Sequence, residues 1–78
     1  MRFRIDEARD GGRRLVVEPV HEGEDLPEFD GRTVSLDAPT YAGADRLRGR
    51  LVLRDGRRCI ELDEPFEEPT EYVDVLSG

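Results

Sequence analysis

The chain has 78 residues, a formal net charge of -7, and a composition that is 40% charged and 36% hydrophobic. A chain this short holds one domain with a small core, because it buries only about 60% of the surface that its extended form exposes. All 12 basic residues are Arg, Asn is absent and Cys59 is the single cysteine, which excludes a Lys-bearing phosphate loop, Schiff-base chemistry, N-glycosylation and an internal disulfide.

From the start of the chain, Phe3 and Ile5 fall on one face of a segment whose other face carries Arg2, Arg4 and Asp6. This period of two predicts a half-buried strand. A Val-rich strand follows over Arg13–Val20. Between them, Asp10, Gly11 and Gly12 suit a three-residue hairpin loop, a type I turn closed by a left-handed Gly. That register sets Phe3 opposite Pro19, Ile5 opposite Val17, and Arg4 opposite Glu18 as an ion pair.

Residues 21–31 (HEGEDLPEFDG) read as a long acidic loop, with Leu26 and Phe29 able to pin it to the core. A short strand is expected over Arg32–Leu36, with Val34 and Leu36 inward. A second loop is expected over Asp37–Asp45, marked by Pro39 and Gly43. Next comes the strongest local signal, Asp55-Gly56 between two alternating runs, Arg46–Leu53 and Arg58–Leu62. Asp-Gly in that position predicts a two-residue type I′ hairpin that pairs Arg54 with Arg57. Leu51 then faces Ile60 and Gly49 faces Leu62 on the inner side, with Leu53 in line. On the outer side Val52 faces Cys59, Arg50 faces Glu61 and Arg48 faces Asp63, the last two as ion pairs. Gly49 on the inner face marks a bend or a close approach by another strand. After an acidic stretch with Pro65 and Pro69, a last strand is expected over Glu71–Leu76.

Six short strands with no helical periodicity predict an all-β fold, a small antiparallel barrel or sandwich. The pattern resembles a small SH3-like barrel, a likeness of fold that carries no motif. One domain spans residues 1–78. No apolar run approaches the roughly 20 residues that cross a bilayer. The first residues, Met1–Asp6, lack the apolar core of a signal peptide, so a cytoplasmic protein without membrane association is expected. The Arg-for-Lys bias and the acidic balance fit either a GC-rich coding sequence or a salt-adapted, halophilic cytoplasm.

No catalytic or metal constellation emerges. His21 and Cys59 are each alone in kind, and a zinc site needs about four such ligands. An EF-hand reading of the segment ending Glu28-Phe29-Asp30-Gly31 fails because Leu26 stands where its first carboxylate belongs. No enzyme activity and no cofactor are expected. The leading expectation is a protein-interaction module or accessory subunit, which binds a protein partner or a second copy through the loop residues Leu26, Phe29 and Tyr41. A second expectation is binding of RNA or single-stranded DNA by the Arg-rich hairpin 46–58, whose tip leaves Arg54, Arg57 and Arg58 unpaired. A third is an acidic mimic that docks on a basic protein.

Overall fold

The computed structural model of the chain describes residues 1–21, 26–40, 43–66 and 71–77, with the backbone alone at 39–40, 43–45 and 77. Six strands account for most of it: β1 (Arg2–Arg9), β2 (Arg14–Pro19), β3 (Thr33–Thr40), β4 (Gly43–Arg54), β5 (Arg57–Leu62) and β6 (Tyr72–Ser77). They close into an antiparallel barrel in the order β1-β2-β5-β4-β3-β6, with β6 returning to β1. Among the described residues no helix is long and apolar enough to cross a membrane.

Alternation builds the interior. Phe3, Leu15, Val17, Leu36, Ala38, Leu51, Ile60 and Val73 are all fully shielded from solvent, and each is an inward position of its strand. Burial of these side chains, about 1.5–3 kcal/mol for each large one, is the main force that closes the barrel. Phe66, beyond β5, is buried among them; its N–H donates to the Gly12 carbonyl over 3.0 Å, which ties the segment after β5 to the β1–β2 turn. Gly12 has φ of +94°, and a Cβ there would collide with the Phe66 carbonyl, so this close approach requires glycine. Gly49 is crowded in a similar way. A Cβ would lie 2.9 Å from the Glu61 carbonyl oxygen and 3.1 Å from Ile60 Cγ2, which is the close approach expected of a glycine on the inner face.

The β4–β5 ladder runs in the expected register, from Arg54↔Arg57 through Leu51↔Ile60 to Gly49↔Leu62. Asp55 and Gly56 both have positive φ, as a type I′ turn demands. The β1–β2 ladder reaches its expected pairs by a different route. Phe3↔Pro19, Arg4↔Glu18 and Ile5↔Val17 all form, but at the turn Arg9 pairs with Arg14. The loop is therefore one residue longer than expected, and Asp10 and Gly11 both take positive φ instead of the type I geometry. A bulge between Ile5 and Glu7 absorbs the extra residue and restores the inward alternation.

The expected loop over Asp37–Asp45 is a correction. β3 continues to Thr40 and β4 starts at Gly43, with Ala38↔Asp45, Pro39↔Ala44 and Thr40↔Gly43 paired. Pro39 lies beyond the β3–β6 pairing, which covers only Ser35–Asp37, so at this position β3 is bordered by β4 alone among the described residues, the edge setting in which a strand tolerates proline. Tyr41 lies outside the described residues.

Candidate functional site

β4 and β5 are flush at their turn, where Arg54 pairs with Arg57, and the surplus length of β4, 12 residues against 6, lies at its other end along β3. The β3–β4 ladder ends at Thr33↔Arg50, and the β2–β5 ladder ends at Val16↔Cys59. The end of the β4–β5 hairpin therefore overhangs the start of β3 and runs past its ladder with β2, although β2 itself continues to Pro19. Leu53 and Arg58, paired with each other, continue the inward face of Leu51 and Ile60 past the point where strands surround it. Leu53 is accordingly 54% exposed, although alternation alone sets it in line with the core.

The segment before β3 folds against this overhang. The Gly31 N–H donates to the Leu51 carbonyl over 2.7 Å, and the Leu51 N–H donates to the Arg32 carbonyl over 3.0 Å. Leu26 and Phe29 are half-buried and pack on the core, with the Phe29 ring edge-on to Phe3. Both are thus loop anchors, and both also line a surface. Two shallow grooves run along the overhang. One is lined by Phe29, Asp30, Gly31, Arg50, Val52, Leu53 and Arg54. The other is lined by Leu26, Pro27, Phe29, Leu53, Gly56 and Arg58. Phe29 and Leu53 form the wall common to both.

The arginines around this ridge are in different electrostatic states. Arg54 donates from Nε and Nη2 to the two carboxylate oxygens of Glu61, at 3.2 and 2.9 Å. Glu61 also accepts from Arg14 at 2.9 Å. Hydrogen bonds from Arg54 first, and then from Arg14, outweigh partial burial and hold the Glu61 carboxyl below its ordinary value. Arg54 is correspondingly raised by its hydrogen bond to Glu61. Arg57 reaches Glu7 at 3.4 Å and Asp6 at 3.7 Å, and Arg58 reaches Glu18 at 3.8 Å. The unpaired Arg tip is therefore a correction: Arg54 takes Glu61 within the hairpin, and closure of the barrel brings acids of β1 and β2 alongside Arg57 and Arg58, a proximity that the hairpin register alone does not contain.

The expected cross-strand ion pairs change for the same reason. Arg50 stands opposite Glu61 in the register, but Glu61 is taken by Arg54 and Arg14. Arg50 instead donates from Nε to the Gly31 carbonyl at 3.2 Å, and no ion pair to it is seen among the described residues. Arg48 meets Asp63 through the backbone, the Asp63 N–H donating to the Arg48 carbonyl over 3.0 Å. Arg4 pairs with Asp6 at 3.0 Å rather than with Glu18.

Cys59 is buried with Val16 and Val52 in a small apolar cluster distinct from the main core, as an apolar filler would be, and His21 is exposed. Among the described residues no group of three His, Cys, Asp or Glu is placed to hold a metal ion. Of the loop residues singled out from sequence, the structure brings Leu26 and Phe29 together at one surface. It adds Leu53 and Arg50, which sequence reasoning assigned to the core face and to an ion pair.

No family model and no solved structure matches the chain. Among curated proteins it is similar to a tetraacyldisaccharide 4'-kinase of Gluconobacter oxydans (strain 621H), with 35% identity over 69 residues. The match covers 83% of this chain and 21% of the kinase, so the chain spans about a fifth of that relative's length.

Proposed function

We propose that the chain is a non-enzymatic protein-interaction module, which receives a partner at the overhang of the β4–β5 hairpin. The observation that carries this reading is the shared wall of Phe29 and Leu53. An inward strand face that leaves the barrel exposes a large aliphatic side chain beside a half-buried aromatic ring, and such a patch gains stability when a partner covers it. Both grooves are open, which suits a macromolecular surface better than an enclosed substrate site. The likeness to a stretch of a much longer enzyme supports a domain-sized unit that works beside other parts. Kinase chemistry is not carried across with it, since the chain has no Lys and so no Lys-bearing phosphate loop.

The nucleic-acid reading asks more of the molecule. Arg54, Arg57 and Arg58 each hold a carboxylate, and a polyanion has to displace those acids before it gains the arginines. Affinity capture tests the two readings together. The wild-type chain and Leu76→Asp, which changes an exposed Leu elsewhere, should retain the same protein partner, and Leu53→Asp should lose it. Retention by all three, or nuclease-sensitive retention, would contradict the proposal.

A further inference from the structure

The overhang joins an apolar ridge to a basic rim in an otherwise acidic molecule. Arg50 and Arg54 border one groove and Arg58 the other. Their availability differs. Arg54 is clamped on Glu61, and Arg58 makes one long contact with Glu18 at 3.8 Å. Arg50 is exposed, and its Nε bond to the Gly31 carbonyl fixes the guanidinium beside the groove without neutralising it. Two described acids of the segment before β3 are already engaged: Arg32 holds Asp30 at 3.3 Å and Glu28 at 3.7 Å.

Resting on the reading of the overhang as a docking surface, we propose that its occupant is an acidic segment of another protein, with a bulky apolar side chain seated against Phe29 and Leu53 and a carboxylate paired with Arg50. Charge complementarity selects this occupant. Arg presents parallel N–H donors that suit a carboxylate, and the donors left after the Gly31 bond face no acid that would have to be displaced. The apolar ridge supplies affinity, and Arg50 supplies the choice of partner.

A phage-displayed random peptide library, panned on the immobilised full chain near physiological salt of about 0.15 M, tests this directly. The expected winners carry an apolar residue with Asp or Glu close by. Binding of the best synthetic peptide should weaken about tenfold or more in Arg50→Glu, the loss of one charge-assisted contact, and similarly in Leu53→Asp. It should hold in Leu76→Asp. Arg50→Glu should in turn select peptides in which Lys or Arg replaces the acid. Winners without acids, or indifferent to Arg50→Glu yet lost in Leu53→Asp, would overturn the acidic partner and leave the docking surface standing. No enrichment, or binding indifferent to Leu53→Asp, would overturn both. Displacement of the peptide by oligo-dT, or a concentration-dependent dimer that Leu53→Asp abolishes, would replace the acidic segment with nucleic acid or a second copy. If Leu53→Asp lowers the melting temperature, Arg50→Glu carries the comparison.

Discussion

The rings of Phe3 and Phe29 meet edge to face, with centroids 5.8 Å apart and planes at 80°. Phe3 is an inward residue of β1 with no solvent exposure, and Phe29 belongs to the segment before β3. This contact is how an acidic, Pro-containing segment is held against a barrel. The same ring lines both grooves with Leu53, so one residue links the core to the surface proposed for binding.

Phe29→Ala should therefore affect both stability and binding. A fully buried Phe costs about 3–5 kcal/mol when cut to Ala, so the half-buried ring should cost about 2 kcal/mol. In a domain of this size that lowers Tm by about 8–16 °C, which thermal unfolding followed by circular dichroism would measure.

Leu53→Asp should separate the two effects. Its side chain is more than half exposed, so the change should move stability by no more than about 0.5 kcal/mol. A melting curve that coincides with wild type, together with loss of the captured partner, is the expected pair of results.

Gly12 and Gly49 should resist substitution for different reasons. Gly12→Ala meets both a positive φ and the Phe66 carbonyl. Gly49→Ala meets the Glu61 carbonyl and the side chains of Ile60 and Leu62. Each should destabilise by about 1–3 kcal/mol in chemical denaturation. Gly11→Ala has open space around it and only its φ of +65° to strain it, so it should cost less than Gly12→Ala.

Acid should unpick the outer charge lattice. Arg54 holds Glu61 below its ordinary value, and Arg2 does the same for Asp74 through its side-chain hydrogen bond. A carboxyl depressed in the folded state adds stability above its unfolded value, about 4.3 for Glu and 3.9 for Asp. That stability is lost as pH falls through the lower folded value. Tm should thus be level near neutrality and fall below about pH 4. Glu61→Gln should be less stable than wild type at pH 7 and converge with it in acid. A gap that persists at the lowest pH would assign the role of Glu61 to packing.

Much of the barrel was legible because turns set registers. Asp55-Gly56 admits one tight geometry, and every pair behind it followed. The β1–β2 pairs came out right although the loop is longer than expected, since burial of Phe3 and Val17 requires the bulge at Asp6 to realign them. Residues 37–45 were misread because Pro39 and Gly43 resemble loop punctuation, and whether a Pro fits a strand depends on which neighbour stands beside its missing N–H. The ion pairs of Arg57 and Arg58 and the exposure of Leu53 were not legible at all. They depend on barrel closure, on where β3 begins and on where the β2–β5 ladder ends, which are properties of several strands together. Arg54 takes Glu61 inside the same hairpin, a diagonal contact that the list of directly opposed pairs leaves out.

The most direct test of the docking surface is site-specific photo-crosslinking in cells, with a benzophenone amino acid in place of Leu53 and, as a control, in place of the exposed Leu76. The account predicts a discrete protein adduct from position 53 that Arg50→Glu removes, and none from position 76. No adduct at position 53, an equal adduct at both positions, or an adduct that nuclease destroys would contradict it.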